Sequence, residues 1–298
     1  MNPIKNILAC LDLTYIDPIV TEYTDFLVGI TGAEKVYFLH VIQEYDLSGK
    51  GGRDLPEDEE IYELIYKKIK KEVHSRFKQQ IPVGIETQIA TEDAATAIID
   101  FIAETKIDLT LIGRKTGTYR EALYGHKILS GADCDIMFIP EKSTHNIKKI
   151  LCAIDGSKDA EVAFAHAVNL SEKSGAALIS YFLYDTTETY FPATTQSSAS
   201  IHQERLHEKY DKFLKKFNRS PEDIICHFRE LAPSENQADK VYETALDENA
   251  DMIIVGATGD LGTSTTLLGN IALNFNNIEI KTPLLLIKNE RSKRFLWF

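Results

Sequence analysis

Cysteine is scarce in this chain and is never paired in a C-x-x-C motif. Cys10, Cys134, Cys152 and Cys226 are scattered through 298 residues. That excludes a disulfide-stapled scaffold and the usual thiolate metal hairpins. The four are expected to be small buried apolar residues in a reducing compartment. No apolar run reaches the roughly 18 residues that a membrane-spanning helix needs. No charged leader followed by an apolar stretch precedes the first strand, so the expected location is the cytoplasm. Positive charge is also in deficit, with 33 Lys and Arg against 45 Asp and Glu and a net charge of −12. An acidic surface repels phosphate backbones and anionic lipid, so neither nucleic acid nor a membrane is an expected partner. A Walker A loop, a Gly-x-Gly-x-x-Gly turn and a Gly-x-Ser-x-Gly elbow are all absent. His202 and His207 are five residues apart and do not share a helix face, so no metal site is expected.

What is present is a repeat. Residues 5–12, Lys-Asn-Ile-Leu-Ala-Cys-Leu-Asp, are answered by residues 148–155, Lys-Lys-Ile-Leu-Cys-Ala-Ile-Asp. Gly32-Ala33 meets Gly175-Ala176, and residues 108–113 meet 251–256, always 143 residues apart. Three anchors at one offset indicate a tandem duplication. The expected division is 1–143, 144–290 and a short tail, 291–298, which carries the single Trp and ends in four apolar residues.

Within each copy, apolar runs without alternation read as strands buried on both faces. The first copy reads strand 7–11, helix 16–30, strand 35–42, helix 60–79, strand 84–90, helix 93–105, strand 108–112 and strand 136–139. The second reads strand 150–154, helix 160–174, strand 177–184, helix 201–217, strand 224–231, helix 235–249, strand 251–255 and strand 284–287. Gly32 and Gly175 are expected helix stops. Polar stretches 44–59 and 185–200 read as long loops. Strands alternating with helices mean an α/β fold with a mostly parallel sheet, whose ligands sit beyond the carboxyl ends of the strands.

Asp12 and Asp155 close the first strand of each copy. Each is either a ligand acceptor for a ribose hydroxyl or adenine amino group, or the N-cap of the following helix. After the fourth strand of the second copy comes Gly256-Ala-Thr-Gly259, then Gly269-Asn270-Ile271. Glycines let amide N–H groups approach an anion closely, and a following helix N-terminus favours negative charge.

The spacing Gly-x2-Gly-x9-Gly, with Asp155-Gly156-Ser157 at the strand end, resembles the ATP-binding signature of the universal stress protein family. The resemblance covers nearly the whole duplicated chain. It implies two tandem five-stranded, mostly parallel α/β sandwiches of the universal stress protein and adenine-nucleotide alpha-hydrolase type. It also implies that the last strands pair, as an intramolecular pseudo-dimer. Carried onto this sequence, it places nucleotide contacts at Ala153, Asp155, Tyr184, Val255, Gly256, Gly259, Gly269, Asn270 and Ile271. The ligand would be ATP or AMP, with Mg²⁺ as an optional companion of the triphosphate. The function implied is a nucleotide-responsive stress protein with no turnover, or a very slow ATPase, rather than an enzyme.

Two departures stand out. Asn270 replaces the family's Ser or Thr, and residues 260–268 contain no Lys or Arg. Weak to moderate ATP binding, or a preference for a less charged nucleotide, follows. The first copy has Gly113, Gly117 and Gly125 at a different spacing, and its stretch from Gly113 to the last strand is five residues shorter. Asp12, Val41, Gly113 and Gly125 therefore mark a degenerate site, with Arg114, Lys115 and Arg120 read as a solvated face. The tail Phe295–Phe298 is either docked on its own chain or a contact for a homodimer or protein partner. A scaffold without nucleotide and a carrier of another small metabolite are the alternative functions.

Overall fold

The structure is a computed structural model and describes residues 3–43, 58–90, 93–116, 125, 127–184, 196–230, 236–257 and 280–288. The chain divides into two compact units. The first runs to Asn146 and also takes in the strand near residue 285, while the second runs from Ile147 to Asn274. The division expected at 143 and 144 thus falls three residues later, and the last strand changes sides.

In the first unit the elements are β1 (Asn6–Leu11), α1 (Asp17–Thr31), β2 (Lys35–Gln43), α2 (Asp58–Arg76), β3 (Val83–Ala90), α3 (Ala94–Thr105), β4 (Leu109–Arg114) and β5 (Asp135–Pro140). The second unit holds β6 (Lys149–Ile154), α4 (Lys158–Ser174), β7 (Ala177–Tyr184), α5 (Gln196–Lys215), β8 (Ile225–Glu230), α6 (Gln237–Asp247) and β9 (Met252–Gly256). The final strand, β10 (Leu284–Ile287), counts with the first unit. Every expected strand and helix that falls within the described residues is found, with ends shifted by a few residues. Helix α5 begins inside the stretch read as a loop to residue 200. Residues 44–57 and 185–195 lie outside the described residues.

Within the first unit the strand order is β3-β2-β1-β4-β5-β10, and within the second it is β9-β6-β7-β8. All pairings inside the second unit are parallel. So are those of the first, except that β10 runs antiparallel to β5 with Leu284 opposite Phe138 and Leu286 opposite Ile136. The last strands of the two repeats therefore pair, and they do so within the first unit. Residues of β5, β9 and β10 are all buried, as continuous apolar runs require. The outer strands β3 and β8 keep an exposed side.

Helix α1 packs on β1 and β4, and α4 packs on β6, β7 and β9. Both stop at a left-handed glycine whose N–H returns to a helix carbonyl, Gly32 to Val28 and Gly175 to Ser171. Lys288, just past β10, is buried. Its ammonium donates to the carbonyls of Leu129 and Ala132, at the end of the helical stretch 127–131, and its backbone N–H donates to Asp135 Oδ1 at 2.8 Å. A cation at a helix C-terminus satisfies carbonyls that the helix itself leaves open.

Candidate functional site

In each unit the first strand has its sequence neighbour on one side and the fourth strand on the other. That switch in strand order opens a crevice at the carboxyl ends, where α/β sheets bind ligands. In the second unit the register of β6 and β9 pairs Cys152 with Ile254, which brings Asp155 and Gly256 to the same end. In the first, Cys10 pairs with Ile112 and brings Asp12 level with Arg114.

The capping alternative for the two aspartates fails in both units. Ser157, not Asp155, caps α4, its Oγ accepting from Ala160 N–H at 3.1 Å. The turn into α1 has no side-chain cap at all. Asp155 Oδ1 accepts the Ser157 N–H at 2.9 Å, the Ser157 hydroxyl and the residue's own N–H also favour its charged form, and among the described residues Asp155 forms no ion pair. It is half-buried, and that burial pushes its carboxyl above the usual range despite the Ser157 donors. A carboxylate with spare lone pairs at a strand-end crevice suits neutral hydroxyl or amino donors.

The first mouth has the same aspartate in other company. Burial works to raise the Asp12 carboxyl, but Lys115 and the Thr14 donors outweigh it and hold it below its ordinary value. Lys115 Nζ stands 2.6 Å from Asp12 Oδ2, and its side chain is only 11% exposed. Lys115 is therefore not the solvated face expected of it. Arg114 lies 5.8 Å over the ring of Phe138, and Arg120 is outside the described residues. Leu13 takes a φ of 63°, where its counterpart Gly156 has 80°. The left-handed turn at Leu13 is held by Asp17, whose carboxylate accepts the N–H groups of Asp12 and Leu13 at 3.0 and 2.8 Å. Asp17 is buried, and burial, with Asp12 beside it, pushes its pKa to about 7.

The other predicted residues fall as follows. Ala153 and Val255 are fully buried in their strands, beneath the mouth rather than on its surface. Tyr184 ends β7, and Val41 is half-buried in β2. Gly256 ends β9 against the start of α4, where a Cβ would meet Asp159 at 3.1 to 3.3 Å. Gly113 is likewise pressed on α1, where a Cβ would meet Ile16 at 2.8 Å. Both glycines are accounted for by helix packing. Gly125 is buried next to the helical stretch 127–131. Gly259, Gly269, Asn270 and Ile271 lie outside the described residues.

Sequence reasoning missed Asp17, Tyr15 and Glu141. Glu141 Oε1 accepts Tyr15 O–H at 2.6 Å and Thr116 N–H at 2.8 Å. The available signal was the contrast between paired positions, since none of the three residues recurs in the second repeat. Among the described residues no cluster of His, Cys, Asp or Glu could hold a metal ion, and no helix is long and apolar enough to cross a membrane.

Known proteins resemble this arrangement. The sequence pattern of the Universal stress protein family matches residues 4–140 and again 146–275. A universal stress protein of Methanocaldococcus jannaschii is 29% identical over 129 residues, covering 42% of this chain and 73% of that protein. Among solved structures, a functionally unknown protein of Pseudomonas aeruginosa is similar with a TM-score of 0.69, 15% identity, and 97% and 94% of the two chains covered. A universal stress protein of Archaeoglobus fulgidus is similar with a TM-score of 0.64, 15% identity, and 95% and 96% covered. With both halves matched in turn and the mostly parallel α/β fold in place, the chain belongs to the universal stress protein family as a tandem member.

Proposed function

We propose that the second repeat binds an adenine nucleotide, AMP or ATP, and that the chain responds to nucleotide without turning it over. The observation that carries this reading is Asp155, an acceptor at the strand-end crevice whose donors are neutral groups of its own turn, with no cation among the described residues. Ribose hydroxyls or the adenine amino group would donate to its open lone pairs, while Ala153 and Val255 form the floor behind them. Gly259, Gly269, Asn270 and Ile271 would receive the phosphates on backbone N–H groups, as their spacing in the sequence suggests. No histidine stands among residues 256–271, and their one acid, Asp260, has no sequence partner marking it as a base. The family membership supports a stress-response role in the same way.

The experiment is release and mass-spectrometric identification of whatever small molecule accompanies the natively purified chain, followed by calorimetric titration of AMP and MgATP. Nucleotide binding that is lost in Asp155→Ala and in Gly269→Val, with the far-ultraviolet spectrum unchanged, supports the reading. A different metabolite, or no heat with either nucleotide, overturns it.

A further inference from the structure

The first mouth holds, from its own chain, what a ligand would otherwise bring. Asp12 Oδ2 receives Lys115 Nζ at 2.6 Å, and Oδ1 receives the Thr14 N–H and hydroxyl at 3.1 and 2.6 Å. Both carboxylate oxygens are thereby engaged. Beside them Glu141, just past β5, ties the loop after β1 to the loop after β4 through Tyr15 and Thr116.

The matching positions of the second repeat cannot reproduce these contacts. Gly156, Lys158 and Thr258 stand in the sequence where Leu13, Tyr15 and Lys115 do, and Asn289 stands where Glu141 does once the five extra residues of the second repeat are allowed for. Without a cation at 258 the ion pair cannot form, and without an acid at 289 there is no charged acceptor to latch the loops. The two mouths therefore differ in chemistry, beyond the spacing of their glycines.

Lys115 also has reason to stay. A long apolar stem covers surface while its ammonium pairs, and an ammonium this little exposed loses favourable interactions if its carboxylate is taken away. A ligand donor that reached Asp12 would have to displace Lys115 from it.

We propose that the first mouth is a self-occupied site, in which Lys115 takes the place of a ligand's donor at Asp12 and Glu141 latches the two loops over it. The first repeat then takes no nucleotide, whether or not the second mouth does.

The test is limiting acylation of the full chain with a water-soluble succinimidyl ester, read by peptide mass spectrometry. Only the unprotonated amine reacts, and a carboxylate partner favours the protonated form. Lys115 should label at least about threefold more slowly than exposed Lys68, and millimolar AMP or MgATP should change its rate by less than about twofold. In Asp12→Asn, folded by its far-ultraviolet spectrum, the Lys115 rate should rise while Lys68 stays constant. Labelling within threefold of Lys68 in the unaltered chain, a larger response to nucleotide, or an unchanged slow rate in folded Asp12→Asn overturns the proposal. The unaltered chain decides the point even if the variant does not fold. Failure of the second-mouth reading is separately visible, as no binding heat with Lys115 still slow.

Discussion

Asp108 and Asp251 hold the same post in two copies of one design. Asp108 Oδ2 accepts the N–H groups of Lys5 and Asn6 at 2.9 and 2.8 Å, and Asp251 Oδ2 accepts those of Lys148 and Lys149 at 2.8 and 3.0 Å. Each ties the entry of the fourth strand to the entry of the first. Charge-assisted bonds to backbone donors contribute roughly 1.5–3 kcal/mol when buried and less when wet. Asp251→Ala should therefore cost about 1–3 kcal/mol in urea unfolding of the full chain, and Asp251→Asn less, because an amide oxygen still accepts.

Two glycines separate backbone strain from crowding. Gly156 has a φ of 80° and open space around a Cβ, so Gly156→Ala should cost only the left-handed penalty, about 1–2 kcal/mol. Gly256 has ordinary φ but a Cβ there would press on Asp159, so Gly256→Ala should destabilise through overpacking, by about 1–3 kcal/mol. Denaturation midpoints check both. If Asp155 and Gly256 share a nucleotide site, Gly256→Ala should also weaken AMP binding, whereas Gly113→Ala should not.

Acid and base act in opposite senses in the two units. The folded pKa of Asp17, about 7, is above its ordinary value of 3.8 because the group is buried. The folded state thus holds this proton more tightly, and its contribution to stability is full below about pH 4 and lost as pH rises through 7. His166 is the reverse, since burial lowers its pKa from 6.5 to about 4. Its contribution is present above about pH 6.5 and lost as pH falls towards 4. Histidine C2–H titration by NMR should show no inflection for His166 above about pH 5. Asp17→Asn should remove the decline in stability between about pH 4 and 8, while its single amide oxygen keeps only one of the two N–H bonds at the turn.

Nucleotide affinity should depend little on the length of the phosphate chain. Residues 260–268 contain no Lys or Arg, so the outer phosphates of ATP gain no cation there. AMP and ATP are expected to bind within about tenfold of each other, at micromolar strength or weaker, since one charge-assisted bond is worth one to two decades. Sub-micromolar MgATP binding in calorimetry would contradict this.

Reactive thiols are not expected. Burial pushes Cys10 and Cys152 far up and Cys226 to about 12, so thiolate is scarce at neutral pH. A disulfide exchange reagent at pH 8 should titrate no fast cysteine before unfolding.

The fold was legible because its signals are local and doubled. Apolar runs such as 150–154 name buried strands, Gly32 and Gly175 mark helix stops, and the constant offset checks each element against its twin. The two aspartates at the strand ends were legible as positions, but that neither caps a helix was not, because it depends on Ser157 capping one helix and on the other going without a side-chain cap. Lys115 read as solvated because basic residues in a polar loop usually are; its pairing with Asp12 spans 103 residues and leaves no periodic trace. Strand β10 was legible as a strand. Its place beside β5 was implied by family resemblance, and its membership of the first unit by neither pattern nor propensity.

That placement bears on how the molecule is made. The outer edge of β5 and the open carbonyls of Leu129 and Ala132 belong to the first half of the chain, yet their partners are residues 284–288. A ribosome adding roughly 5–20 residues per second delivers those partners only after the whole second repeat has been synthesised. For several seconds the nascent first unit presents an unpaired apolar strand, the kind of edge that recruits other chains. The duplication is in this sense no longer divisible: a gene cut after residue 146 would encode a first half that awaits a strand it never receives.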